Sequence, residues 1–240
     1  MDVNNKIART AGFLYLIVVV TGIFSQLYIP SQFIVRGDAL ATANNILAFE
    51  SLFRMGIVIG LIASTTFLLL PFVLYWLLQQ VDRNIAVLMV VLAAASAPIS
   101  FVNTAHDLDI LWLLGGADYL QAFTTEQLHA LVMLSRKASA NGSLVAELFW
   151  GLWLLPFGYL VFKSGFLPRI LGILLMIGCF GYLTEAFGRM LFPQGYAEAG
   201  ISGFMIVPSA LGEVGICLWL LIMGAHWPAR GVSRYSGGKQ

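Results

Sequence analysis

The sequence predicts an all-α protein: a polytopic transmembrane bundle of six helical spans with both termini cytoplasmic. Three observations carry that reading. Hydrophobic residues make up 59% of the 240, only 10% are charged, and the mean hydropathy is +0.86. A soluble domain averages about 25% charged residues, so this surface suits lipid better than water. The apolar residues also fall in six long continuous runs, where a barrel would need short alternating ones. Finally, the basic residues near the run ends are unevenly shared between the two sides.

A helix needs about 20 mostly apolar residues to cross a core of about 30 Å. The expected spans cover about 11–29, 55–78, 85–103, 144–162, 170–191 and 204–225 within a single membrane domain, 1–240. Lys6 and Arg9 precede the first span as they would a signal peptide, but its apolar core is too long and no small-residue cleavage site follows, so it is read as retained. The inner loops are short. Gln79–Asn84 joins spans two and three, and Lys163–Arg169 joins four and five, with Pro168 suited to a first helical turn. The outer segments are longer and expected to be partly helical, over about 39–52 and 125–140. Asp38 is placed to cap the first, and Thr124 with Gln127 forms a capping box for the second, which is expected to end near Asn141–Gly142.

With the N-terminus inside, the inner segments hold Lys6, Arg9, Arg83, Lys163, Arg169, Arg230, Arg234 and Lys239. The outer ones hold Arg36, Arg54, Arg136, Lys137 and Arg189. That excess orients the chain. The expected location is the cell membrane, and the expected partner is the lipid bilayer. The net charge of +1 leaves no footprint for nucleic acid. Oligomeric state is not legible.

Ionisable residues inside spans are the informative ones, because a charge at a helix centre costs about 2.5–3.5 kcal/mol on insertion scales and so faces a bundle interior or cavity. Glu213 lies near the middle of span six, among the small neighbours Ser209, Ala210 and Cys217, about a turn and a half after Pro208. Glu185 and Arg189 form an i,i+4 pair in span five, and Glu50 and Arg54 repeat it at the mouth of span two. Ser96, Ser100, Asn103 and Asp107 share one face of span three. Glu147 opens span four. Glu50, Arg54, Asp107, Glu147, Glu185 and Arg189 lie toward the outer leaflet with Glu213 below them near the midplane, which suggests one outward-facing polar cavity with Glu213 at its floor. The plainer alternative for each is local charge neutralisation or interhelical hydrogen bonding.

Chemistry-bearing motifs are missing. There is no P-loop, no dinucleotide fingerprint and no H-E-x-x-H, and the histidines, His106, His129 and His226, are scattered. His106 and Asp107 cannot both project along the Ser100 face, since adjacent helical residues point about 100° apart. An oxygen-rich metal site from Asp107, Glu147, Glu185 and Glu213 lacks any spacing signature. Cys179 and Cys217 sit in apolar runs and read as small buried hydrophobes. No cofactor or metal is expected. The reading is therefore a protein that binds or moves a small solute, ion or proton. The alternatives are an intramembrane enzyme acting on a lipid-like substrate, which no nucleophile–base pair supports, and a structural or accessory subunit.

The segment FWGLWLLPFGYLVFKSGFLPRILGILLMIGCFGYL, from Phe149 to Leu183, resembles the characteristic stretch of a bacterial membrane family known as domain of unknown function 4386. IARTAGFLYLIVVVTGIF, GDALATANNILAFESLFRMG and GEVGICLWLLIMG are similar to other parts of it, in the same order. The resemblance implies a multi-pass cell-membrane protein and supplies no activity. No functional role carries over with it, although Arg9, Asp38, Glu50, Arg54 and Glu213 fall in the matching fragments.

Overall fold

The computed structural model describes residues 3–198 and 202–225, the side chains of 197, 198, 202, 203 and 205 excepted. Arg230, Arg234 and Lys239, counted above among the inner basic residues, and His226 lie outside the described residues.

The first span is a helix, α1 (Val3–Ile23), that passes through a π-helical turn at Phe24–Tyr28 into a short α2 (Ile29–Phe33). The Ile29 N–H reaches back to the Phe24 carbonyl, five residues away. Pro30 explains the wide turn. It has no N–H for the Gln26 carbonyl, and its ring would press on that carbonyl in a regular helix. Gly37 takes a left-handed φ of 78°, and Asp38 then caps α3 (Ala39–Ala48) by accepting from the Ala41 N–H at 2.8 Å. The chain breaks at Phe49 and restarts as α4 (Glu50–Leu78). Asp82 accepts from the Asn84 and Ile85 N–H groups to start α5 (Arg83–Leu114). At 1.5 Å per residue α5 is roughly 48 Å long, well beyond the hydrocarbon core.

The 125–140 segment is not a separate outer helix. The Thr124–Gln127 capping box forms, but α6 (Thr125–Leu152) runs straight through Asn141 and Gly142 into the fourth span. Gly142 ends nothing because it fills a packing role against α5. The break comes at Trp153, before α7 (Leu154–Ser164). Pro156 accounts for it, since it cannot donate to the Leu152 carbonyl. Gly165, left-handed at φ 72°, ends α7. After it come α8 (Arg169–Leu191), α9 (Pro193–Glu198) and α10 (Ser202–Ile222).

Among the described residues, five helical stretches are long and apolar enough to cross a bilayer: Val3–Phe33, Glu50–Leu78, Arg83–Leu114, Thr125–Ser164 and Arg169–Leu191. Ile206–Ile222 of α10 is a further apolar helix, shorter than these five. In chain order, α1, α4, α5, α6, α8 and α10 each pack on the next, and α10 closes back on α1. The ring is filled by α7, whose Leu154, Phe157, Leu160 and Val161 are fully buried together with Trp153. Large apolar side chains such as Trp76, Val91 and Phe180 project outward, as a lipid-facing surface requires.

The two ends of the bundle differ. Around the start of α1 and the end of α10, Arg9 reaches the Ile222 carbonyl and Asn5 accepts from the Ala225 N–H. Tyr15, Leu70, Leu74, Leu77, Met89 and Phe157 pack there without exposure. At the opposite end a smaller apolar cluster, including Phe33, Ile46, Phe53 and Ile110, surrounds polar space.

Candidate functional site

That space is a cavity of about 80 Å³ between α2 with its π turn, α3, α4, α5 and α6. Each wall has a local cause. Pro30 widens the helix beside Ser25 and Gln26, and both line the cavity. On α4, Gly56 makes room for the Ile29 side chain and Gly60 faces Ser25, and Ser64 lines the cavity one turn further along. On α5, the helical spacing of Ser100, Asn103 and Asp107 turns all three inward. On α6, Arg136, Ser139 and Ser143 are three and four residues apart and face them. The two helices are drawn close at Gly142, where a methyl group would collide with the Asn103 amide. Asn103 Nδ2 then donates to Ser143 Oγ at 3.4 Å.

The cavity mouth carries opposite charges. Arg136 Nη1 stands 3.9 Å from Asp107 Oδ1, and the two side chains are 24% and 28% exposed. Arg136 Nη1 also donates to Ser139 Oγ, at 3.5 Å. Charge-assisted bonds of this kind usually close to about 2.7–2.9 Å, so the guanidinium is held loosely. Ser100 is roughly 25 Å along α5 from Arg83, at 1.5 Å per residue. The polar lining therefore begins deep in the bundle and ends at the mouth.

Glu213 does not floor this cavity, and the expectation of one cavity joining all the buried charges is corrected. Tyr15 Oη, from α1, donates to Glu213 Oε2 at 3.0 Å, and Tyr182 Oη, from α8, donates to Oε1 at 3.2 Å. Both carboxylate oxygens are engaged in a three-helix junction beside the packed core. Close backbone approach builds that junction: a Cβ on Gly178 would strike Ser209, and one on Gly12 would strike the Leu221 backbone.

Glu147, Glu185 and Arg189 form a third group, between α6 and α8. Arg189 Nη1 lies 3.3 Å from Glu147 Oε1 and 3.8 Å from Glu185 Oε1. Tyr196 of α9 folds its ring across Gly188 and donates to Glu185 Oε2 at 2.8 Å. Outside the spans, the Tyr196 phenol is pushed up to about 12, by burial first and then by the bond to Glu185 and its charge. Glu50 and Arg54 stand apart as a close, exposed pair, 2.7 Å between Nε and Oε1, beside a small pocket with Leu111 and Leu114.

Of the residues singled out in the sequence, then, Ser100, Asn103 and Asp107 share the cavity, while Glu213, the Glu147–Glu185–Arg189 group and the Glu50–Arg54 pair occupy three other places. Sequence reasoning missed Arg136, Ser139 and Ser143 as cavity walls, although their spacing mirrors the stripe on span three. It also missed Tyr15 and Tyr182, whose hydroxyls inside apolar spans require partners. Cys179 and Cys217 are buried free thiols. Among the described residues no group of three or more His, Cys, Asp or Glu is placed to hold a metal ion.

The family described as a domain of unknown function (DUF4386) matches residues 10–224. An uncharacterized protein of Archaeoglobus fulgidus is 29% identical over 154 residues, covering 63% of this chain and 72% of that relative. No solved structure matches.

Proposed function

The chain belongs to the DUF4386 family, and from that premise we propose that it is a membrane protein that binds a small polar solute in an outward-facing cavity. The observation that supports this most is the lining itself. Hydroxyls, amides and an ion pair from several helices converge on one space, while the larger core cluster of the bundle is apolar. Polar groups in a membrane interior are expensive unless paired or wet. A bundle that needed these groups only for packing would have engaged them closely with one another, as it does both oxygens of Glu213. A cavity of about 80 Å³ has room for ordered waters or a solute of a few heavy atoms.

Two observations weigh against an enzyme. His106 pairs with Asp109 at 3.5 Å rather than with a serine, and the Ser100 hydroxyl donates to the Ser96 carbonyl of its own helix.

Cysteine labelling tests the reading. In a background with Cys179 and Cys217 replaced by Ala, Ser100→Cys and Ser64→Cys are treated in intact cells with a membrane-impermeant maleimide. Both are expected to react faster than Val91→Cys on the lipid-facing surface. Rates no higher than that control, from either side of the membrane, would remove the cavity as a binding site.

A further inference from the structure

The cavity also carries information about what it takes. Asp107 and Arg136 are the charged residues among its described lining. They sit at the mouth, partly exposed and 3.9 Å apart. A guanidinium offers five N–H donors, and those of Arg136 toward the cavity meet only long contacts, to Asp107 and Ser139. Asp107, in turn, can accept from a donor on the cavity side. On α5, Asn103 and Ser100 lie below Asp107, and along α4 the wall runs from apolar Phe53 and Ile57 near the outer end to Ser64 deeper in.

Resting on the binding site proposed above, we infer that the ligand is a small zwitterion carrying a carboxylate and an ammonium a few ångströms apart, of the α-amino-acid type. The argument is charge balance in a narrow, partly desolvated site. The pair is neutral together. A simple anion would add one uncompensated negative charge beside Asp107, and a simple cation one positive charge beside Arg136; both are penalised where neighbouring charges are only partly solvated. A zwitterion adds none. Its carboxylate can engage the planar guanidinium fork while its ammonium meets the Asp107 carboxylate. It thereby replaces one long, weak contact by two short charge-assisted ones. A cavity of about 80 Å³ leaves space for a short side chain only, so the class is limited to small members.

The test uses four probes of similar size on the purified full chain in detergent micelles: L-alanine, propionate, n-propylammonium and 1,2-propanediol. The readout is the thermal unfolding midpoint at rising probe concentration. L-Alanine is expected to raise the midpoint by about 2–4 °C at saturation, and the other three by much less. Asp107→Asn should weaken alanine about tenfold and bring propionate up to it, and Arg136→Gln should do the same for propylammonium. If propionate, propylammonium or the diol stabilises the unaltered chain as well as alanine does, or if none of the four does, the zwitterion inference is overturned. The ranking on the unaltered chain decides this even where a variant fails to fold. Labelling of Ser100→Cys separates the two ideas. Fast labelling with the wrong probe ranking removes only the ligand class, whereas no labelling removes the site itself.

Discussion

Tyr15 and Glu213 are 198 residues apart in the chain, yet the tyrosine hydroxyl donates to the carboxylate at 3.0 Å inside the bundle. With Tyr182 on the other oxygen, the contact ties α1, α8 and α10 together where the last helix closes on the first. Tyr15 is fully buried, so the junction is sensitive to small chemical changes.

Glu213→Gln should therefore be mild and Glu213→Leu severe. Glutamine keeps one carbonyl oxygen as an acceptor, and its amide can donate to the second tyrosine oxygen, at a cost of about 1 kcal/mol. Leucine strands the fully buried Tyr15 hydroxyl, at about 1–3 kcal/mol, and takes the acceptor from half-buried Tyr182 as well. Thermal midpoints in micelles, with Tyr15→Phe combined with each, give the coupling. A Glu213→Leu chain as stable as the unaltered one would mean the junction is not a structural tie.

Two glycines of α1 make a matched comparison. At Gly12 a methyl group would meet the Leu221 backbone, which cannot rotate away, whereas at Gly22 it meets nothing within 4 Å. Gly12→Ala should force α1 and α10 apart and cost about 1–3 kcal/mol or more. Gly22→Ala should be neutral or stabilising, by up to about 1 kcal/mol, from helix propensity alone. Equal effects in a thermal or denaturant assay would contradict the close packing of α1 and α10.

Tyr196 supplies a pH dependence. Its phenol is raised to about 12 in the fold, above the ordinary value of about 10. The folded chain thus holds this proton more tightly than the unfolded one. The stabilisation is complete below pH about 10 and is lost as pH rises through about 12. Tyr196→Phe should cost about 1 kcal/mol at neutral pH, a difference constant from pH 6 to 9 that shrinks above 10. A difference that grows with alkalinity would have the wrong sign for this contact.

Much of this architecture is legible in the residues, for a physical reason. Without water to satisfy the backbone, a long apolar run has one regular option inside a bilayer, so the helices follow from composition. The Asp38 cap and the Thr124–Gln127 box are equally local and formed as their spacing implies. What could not be read is which buried polar groups meet. Depth placed Glu213 near the midplane below Asp107, but rotation about each helix axis decides the partner, and that is set by packing. Gly142 shows the difficulty. Beside Asn141 it reads as a helix stop, yet it lies in mid-helix because Asn103 of α5 needs its missing side chain. Tyr15 likewise looks like one more core aromatic until α10 is brought against it.

The two arginine pairs that look alike in sequence should behave differently. Arg54 and Glu50 are both well exposed, at 59% and 46%, and Arg54→Gln should change stability by no more than about 0.5 kcal/mol. Arg189 is 44% exposed, but its partners Glu147 and Glu185 are only 19% and 6% exposed. Removing its charge leaves two nearby carboxylates to repel each other in a poorly solvated place. Discounted for the exposure of the arginine itself, Arg189→Gln should still cost about 1–2 kcal/mol, less than the 3–5 of a fully buried pair. Adding Glu147→Gln should recover much of that loss, since one carboxylate fewer relieves the repulsion. The same addition to Arg54→Gln should recover nothing, because Glu147 belongs to a different cluster. Thermal midpoints of the four variants decide it: equal losses for the two single arginine changes, or no recovery with Glu147→Gln, would show that burial of the carboxylates does not set the strength of the Arg189 contacts.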